Sequence, residues 1–205
     1  MSAEKNFNDL FTKYRVKTLV ELQKKIEGKS GANKDRDLFY GGIFVNGVSQ
    51  VQKHQCMLRS SDNEPWDIEM IDNTLLQRKE VPNHFYIQNV HITHHYIKSQ
   101  VNNGLSDIYN IFSKFLYEKK LCPEKADYRG GILVFHIGAT IQGFFDINIL
   151  RERVRGISQN KFEQIWVTCF TNFDYSLSLL TELLKDNGEL LQFSNKLFTG
   201  LRPGY

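Results

Sequence analysis

Apolar residues recur at helical spacing at the start of the chain. They fall at i, i+3, i+4 and i+7 and continue after a small phase shift: Phe7, Leu10, Phe11, Tyr14, Leu19, Leu22 and Ile26. This pattern predicts one long helix or two short helices over residues 4–27. The next apolar segment, Leu38–Val48, contains three glycines. Its spacing fits either a helix packed closely on a neighbour or a strand.

Two segments with the character of β-strands come next. In Trp66–Ile71 the side chains largely alternate between apolar and acidic, which predicts a strand with two different faces. His84–Thr93 is rich in aromatic and β-branched residues, which favours a second strand. Asp72 and Asn73 are typical of a turn. We expect the two strands to pair as a hairpin or meander.

The second half of the chain begins with the clearest helical pattern. Residues 107–120 repeat apolar side chains at helical spacing behind Ser106, a suitable N-cap. Gly131–Ile137 is an unbroken apolar run, and strands that are buried on both faces have this composition. Such strands belong to sheets covered by helices, so we expect a buried central strand here.

Three further elements complete the predicted order. Asp146–Val154 has the pattern of a basic amphipathic helix, Phe162–Phe170 of a strand and Leu177–Lys185 of a helix, with a loop from Asn195 onwards. The resulting order predicts an α/β fold, a mixed sheet flanked by helices. The single domain expected over residues 1–205 has three parts: an N-terminal helical part at 1–50, an α/β core at 60–170, and a C-terminal helix and tail at 171–205.

The composition is that of an ordinary globular domain. Apolar residues make up 41% and charged residues 24%, so 205 residues suffice for one substantial core. The net charge of +3 permits nucleic-acid contact without indicating it. Three cysteines without a CxxC pair favour a reducing compartment. Since the chain has no secretion signal and no apolar stretch of ~20 residues, we expect a cytoplasmic protein without a membrane segment. The oligomeric state stays open.

Asp67 and Glu69 form the first candidate site. At i and i+2 of a strand, both carboxylates face the same side of the sheet. Two neighbouring carboxylates repel each other when ionised, and a divalent cation or a basic partner relieves that repulsion. Oxygen ligands of this kind suit Mg²⁺ or Mn²⁺. The alternative is the exposed polar face of an edge strand.

The next strand carries polar residues at its centre. Gln88 and Asn89 interrupt an otherwise apolar strand, which indicates a metal, ligand or backbone partner, or else a satisfied internal hydrogen bond. His91 follows, with His94 and His95 close behind. In a continuing strand or in a helix, His91 and His95 share a face, as two ligands of a zinc site would. The alternative is a group of surface histidines.

Basic residues after the central strand are candidates for phosphate contact. On a helix, Arg151 and Arg155 form a basic ridge that can hold phosphates, and Lys161 follows. A solvated helix face has the same pattern. Nucleotide-binding P-loops and hydrolase nucleophile elbows are not indicated, because the chain contains no GxGxxG, GxxxxGK[ST] or GxSxG.

Residues 60–170 resemble the PD-(D/E)XK, or restriction-endonuclease-like, superfamily. Pro65–Met70 is similar to that family's first motif, a Pro-Asp step that opens a strand. Tyr86–His91 is similar to the second strand, which carries Glu-x-Lys in the family. The predicted helix 107–120 and strand 131–137 then follow in the family's order. The resemblance implies the fold of a metal-dependent phosphodiester hydrolase.

The resemblance also implies roles for particular residues. Asp67 matches the family's metal-binding aspartate, Gln88 stands in place of the second acidic ligand, and Val90 stands in place of the lysine. A register shifted by one residue puts Asn89 and His91 in the last two places, again without a carboxylate.

The sequence therefore leads to one main hypothesis and two alternatives. The main hypothesis is a nuclease-like protein that binds or hydrolyses nucleic acid with Mg²⁺ or Mn²⁺, at a site around Asp67, Glu69, Gln88 and His91. Unless Glu69 or Glu80 supplies the missing charge, the result would be a nuclease-like fold without activity. The alternatives are a non-catalytic interaction or regulatory module that binds a protein partner, and a small metal-binding protein built on the histidines.

Overall fold

The structure, a computed structural model, describes most of the chain. The described residues are 3–29, 31–62, 65–105, 107–122, 128–137, 146–158, 161–171, 177–185 and 188–195. The helices in them are α1 (Ala3–Tyr14), α2 (Leu19–Glu27), α3 (Asn33–Gln52), α4 (Asn73–Arg78), α5 (His94–Asn102), α6 (Ile108–Leu116) and α7 (Ile147–Ser158). The strands are β1 (Cys56–Ser60), β2 (Ile68–Asp72), β3 (His84–Ile92), β4 (Ile132–Ile137), β5 (Gln164–Phe170), β6 (Leu177–Glu182) and β7 (Leu191–Ser194).

The described strands form one seven-stranded mixed sheet in the order β1-β2-β3-β4-β5-β6-β7. β1, β2 and β3 are an antiparallel meander, whereas β3, β4 and β5 are parallel to one another. β6 and β7 complete the sheet as antiparallel strands. β4 lies at the centre and each of its residues is buried. The predicted buried strand at Gly131–Ile137 is therefore confirmed, as is the mixed α/β fold class.

Helices cover both faces of the sheet. α1, α2 and α3 form an apolar layer on one face, and α6 and α7 form a second layer on the other. The residues of β4 alternate between them: Ile132 and Val134 contact the first layer, and Leu133 and Phe135 contact the second. Because both faces of β4 are covered, each residue of the strand except His136 is apolar.

The segment Leu38–Val48 lies within the long helix α3. From Phe39 to Val48 this helix is buried on every side because it lies between the sheet and the other N-terminal helices. Gly41 permits the close approach, since a Cβ at that position would collide with the side chain of Ile68 on β2. The first turns of α3 are polar and bring Asp37 to the sheet, where the candidate site is formed.

α6 begins after Asp107, whose carboxylate accepts the N–H of Tyr109 at 2.9 Å. Ser106, the N-cap that the sequence suggests, lies outside the described residues. After Leu116 the helix continues as a π-helical turn, Tyr117–Leu121. Such wider turns change the direction of the side chains that follow, and they are frequent at functional sites.

The prediction of a helix at Leu177–Lys185 is wrong. This segment contains β6, in which Leu179 contacts the second apolar layer and Leu180 the first, the alternation of a strand. The segment 4–27 forms two helices, and β1, β7, α4 and α5 were not predicted. The loop predicted from Asn195 lies outside the described residues from position 196 onwards. No helix in the described part of the chain has the length and apolar character needed to cross a membrane.

Candidate functional site

Asp67 lies directly before β2 and is held by the backbone of β3. Its N–H donates to the carbonyl of Ile87 at 3.1 Å, and its Oδ2 accepts the N–H of Asn89 at 2.7 Å. These bonds hold the carboxylate beside the middle of β3, where the side chain of Gln88 also donates to it. The structure therefore brings together two of the residues that the sequence singles out.

A second acidic residue reaches the same place from α3. Nδ2 of Asn89 donates to the backbone carbonyl of Asp37 at 3.3 Å. Burial and then the charge of Asp67 raise the pKa of Asp37 to about 7, although Lys120 and Arg36 oppose the shift. Burial also raises the pKa of Asp67, against the opposing effects of Lys120 and Asn89. The surroundings thus do not fully compensate two negative charges.

Lys120 supplies positive charge to this site. It lies on the π-helical turn, and its ammonium group donates to Oε1 of Gln88, which is almost completely buried. Its charge opposes the rise in pKa that burial causes in both Asp37 and Asp67. We call Asp37, Asp67, Gln88 and Lys120 the Asp67 cluster.

Aromatic rings border the Asp67 cluster. The ring centroid of Trp66 lies 5.9 Å from that of Tyr86 and 5.6 Å from that of Tyr128. The ammonium groups of Lys120 and Lys161 lie 5.8 Å and 5.5 Å from the centroid of the Tyr128 ring. At these distances the ring quadrupole attracts the cations. The border is therefore both aromatic and positively charged.

Asn89 connects the two acidic residues to a buried chain of hydrogen bonds. Its Oδ1 lies 3.1 Å from Nε2 of His136, and Nδ1 of His136 lies 2.5 Å from the hydroxyl of Thr168. Since Nδ2 of Asn89 is a donor to Asp37, Nε2 of His136 must donate to Oδ1, and Nδ1 accepts from Thr168. Burial, followed by the nearby His91, lowers the pKa of His136, so the ring is neutral. These hydrogen bonds hold Asn89 in place, and Asn89 in turn holds the carboxylate of Asp67 and the backbone of Asp37.

Glu69 does not join the Asp67 cluster. It is buried on β2 opposite Tyr86, where its Oε2 accepts from Nε of Arg59 at 2.5 Å and lies 3.2 Å from Nε2 of His84. Burial raises the pKa of Glu69, but Arg59 and His84 outweigh burial and hold the pKa below its ordinary value. The geometry therefore brings Asp37, rather than Glu69, to Asp67.

The histidines are also apart from the Asp67 cluster. Nδ1 of His91 lies 3.3 Å from Oε1 of Glu27, and its ring stacks on Tyr40 with centroids 4.3 Å apart. Burial lowers the pKa of His91 to about 4. His94 and His95 are exposed at the start of α5. Within the described ranges, no group of three or more His, Cys, Asp or Glu side chains is arranged to hold a metal ion. The zinc hypothesis gains no support from this arrangement.

All three predicted phosphate-binding residues have hydrogen bonds to backbone carbonyls. Arg151 is buried, and its Nη2 donates to the carbonyl of Gly188 at 2.8 Å. Arg155 donates to two backbone carbonyls directly after β6, at 3.1 Å and 2.8 Å. These bonds fasten α7 to the sheet. Lys161 lies beside Tyr128 at the aromatic border, and its ammonium group donates to the carbonyl of Cys122 at 2.7 Å.

Comparisons of the chain with protein-family models, with curated proteins and with solved structures find no match. The Asp67 cluster is therefore interpreted from its own chemistry.

Asp37 and Lys120 are the members of the Asp67 cluster that the sequence does not reveal. Asp37 lies in the charged start of a helix and Lys120 at the end of another helical pattern, where charged residues are ordinarily solvated. No local motif distinguishes them. Together with Asp67 and Gln88 they provide two carboxylates, an amide oxygen and an ammonium group. Such a set can bind a divalent cation and stabilise negative charge next to it.

Proposed function

We propose that this chain is a metal-dependent nuclease-like protein and that the Asp67 cluster is its active site. The observation that carries the proposal is that Lys120 meets Gln88 beside Asp67. In the PD-(D/E)XK resemblance, Val90 stands at the position of the family's lysine, and valine cannot stabilise negative charge on a phosphate. Residues 88 and 90 share a face of β3, and Lys120 brings an ammonium group to that face from the π-helical turn.

The order of the elements supports the same proposal. β2 and β3 are antiparallel neighbours, α6 follows them, and β4 then pairs with β3 in parallel. This is the order that the resemblance implies for a restriction-endonuclease-like core. Asp67 opens the first of these strands and Gln88 lies at the middle of the second.

The donor set fits a hard divalent cation. Asp37 and Asp67 are oxygen ligands whose pKa values are raised, so a bound cation would relieve their mutual repulsion. Mg²⁺ is commonly held by one or two carboxylates together with water and substrate phosphates, so two carboxylates suffice. We therefore assign Asp37 and Asp67 as the ligands of a Mg²⁺ or Mn²⁺ ion. Such an ion, when bound, supplies Lewis-acid stabilisation of a phosphodiester.

The remaining residues of the site would stabilise charge on the substrate and hold the proposed cation ligands in position. The ammonium group of Lys120 would stabilise the negative charge that increases on a phosphate during hydrolysis. Gln88 holds that ammonium group and donates to Asp67, which fixes the distance between the cation ligand and the lysine. Asn89 links the two acidic residues, because its N–H donates to the carboxylate of Asp67 and its side chain donates to the backbone carbonyl of Asp37.

Cleavage of end-labelled DNA and RNA in Mg²⁺ or Mn²⁺ tests the proposal. Wild-type protein is compared with Asp67→Asn and Lys120→Met, and with Glu163→Gln, which changes an exposed carboxylate outside the Asp67 cluster. We expect cleavage by the wild type and by Glu163→Gln, and a loss of roughly 100-fold or more in the other two. Equal activity in wild type and Asp67→Asn, or no cleavage of any substrate, would reject the enzymatic proposal.

A further inference from the structure

The antiparallel meander presents one partly exposed face. Directly opposite residues of β1, β2 and β3 share a face, and most of those facing α3 are buried. The residues of the other face that are exposed or half-buried are Met57, Arg59, Ile71, His84 and Tyr86. The side chain of Arg59 is 57% exposed and that of His84 is 36% exposed. We call these five residues, together with Trp66, the meander surface.

The meander surface carries a row of aromatic rings. His84 and Tyr86 lie on β3 with ring centroids 5.0 Å apart. The ring centroid of Trp66 lies 5.9 Å from that of Tyr86. Gly131 makes room for the indole, since a Cβ at that position would overlap the ring of Trp66. The rings are thus packed against one another before a ligand binds, which reduces the entropic cost of stacking on them.

The row of rings leads directly to the Asp67 cluster. Gln88 is the next residue of β3 on this face, and Lys120 contacts it. The acidic residue of the face, Glu69, is buried beneath Arg59 and paired with it at 2.5 Å. That pairing neutralises the carboxylate, so the surface does not repel phosphate. At one end, the exposed guanidinium of Arg59 can still donate hydrogen bonds to phosphate, and at the other end Lys120 adds positive charge.

We propose that the meander surface binds the unpaired nucleotides of a single-stranded nucleic acid and directs that strand to the Asp67 cluster. Every base has a π-face, and bases of a single strand stack on aromatic side chains while cations follow the phosphates. The bases of a duplex are stacked within the helix and cannot lie on a row of rings. The claim that the nucleic acid is directed to the Asp67 cluster rests on the proposed function, whereas its binding to the meander surface can be measured without cleavage.

Tryptophan fluorescence provides the test, because the chain contains two tryptophans, Trp66 and Trp166. In a Trp166→Phe background, Trp66 is titrated in EDTA with oligo(dT), with oligo(U) and with a mixed-sequence duplex of equal length. We expect quenching by one or both single strands and binding at least tenfold weaker for the duplex. In the same background, Tyr86→Leu should weaken binding about tenfold, and Tyr86→Phe should restore it because the ring is kept.

Tyr96→Ala is the matched control, because Tyr96 is also a half-buried tyrosine but packs on Phe115 of α6. It should leave oligonucleotide affinity unchanged. Absence of quenching, equal affinity for duplex and single strand, or unchanged affinity in Tyr86→Leu would overturn the inference. The two proposals fail separately. If binding depends on Tyr86 but no cleavage occurs, the enzymatic proposal is rejected and the binding surface stands. If Tyr86→Leu does not alter cleavage, the binding surface is rejected and the enzymatic proposal stands.

Discussion

Replacing Asp37 with asparagine removes one carboxylate of the Asp67 cluster and leaves the size of the side chain almost unchanged. The pKa of Asp37 is raised from 3.8 to about 7 in the folded protein. Between these values the folded state binds more protons than the unfolded state. The free energy of unfolding of the wild type should therefore fall as pH rises from about 4 to about 7. The variant has no such proton to lose.

The size of the effect follows from the shift in pKa. A difference of about 3 in pKa corresponds to an upper limit of about 4 kcal/mol, at about 1.4 kcal/mol for each pH unit. Asp37 is only partly buried, so solvent screening reduces this value, and we expect ~2 kcal/mol. Because Asp37 and Asp67 repel each other, the measured difference belongs to the pair.

Urea denaturation in EDTA, at a series of pH values from 4 to 8, measures this difference. The stability of wild type should decline relative to that of Asp37→Asn by ~2 kcal/mol across the range. Asp62→Asn, which changes an exposed aspartate, should follow the wild type. Parallel pH curves for wild type and Asp37→Asn would refute the conclusion that this carboxylate is destabilised by burial and by Asp67.

Two further predictions concern the residues that support the site. Thr168→Val should destabilise the protein by about 1–3 kcal/mol, because it leaves Nδ1 of the buried His136 without a donor. Thr168→Ser keeps the hydroxyl and should cost less in urea denaturation; a larger cost for serine would contradict the assigned hydrogen bond. Gly131→Ala should cost about 1–3 kcal/mol, because the new methyl group overlaps Trp66. Gly156→Ala in α7, where a Cβ meets nothing within 4 Å, should instead stabilise by ~0.5–1 kcal/mol, and equal effects of the two substitutions would contradict the packing.

The elements that the sequence predicts correctly are those with an unambiguous apolar pattern. Each position between Gly131 and His136 is apolar. Such a run indicates a strand that is covered on both faces, because a strand with one exposed face alternates between apolar and polar residues. The sequence predicts a helix at β6 because leucines three or four positions apart also fit one face of a helix. Pairing with β5 and β7 decides its conformation, and that pairing is not visible in the local pattern.

The candidate site shows the same limit. Asp67 and Gln88 can be predicted because neighbouring strands bring adjacent motifs together. Asp37 and Lys120 cannot, since they reach the site only through the packing of α3 and through the direction of the π-helical turn. The strand alternation also predicts correctly that Glu69 lies on the same face as Gln88. It does not show that the carboxylate of Glu69 forms an ion pair with Arg59.

The identity of the cation ligands is the central claim, and binding of Mn²⁺, measured by the electron paramagnetic resonance of the free ion, tests it most directly. Wild-type protein, the double variant Asp37→Asn/Asp67→Asn and the variant Glu69→Gln are titrated at pH 8, and circular dichroism establishes that each is folded. We predict that wild type and Glu69→Gln bind roughly one Mn²⁺ ion per chain with similar affinity and that the double variant does not. Binding that survives in the double variant, or that disappears in Glu69→Gln while the fold is retained, would contradict the account.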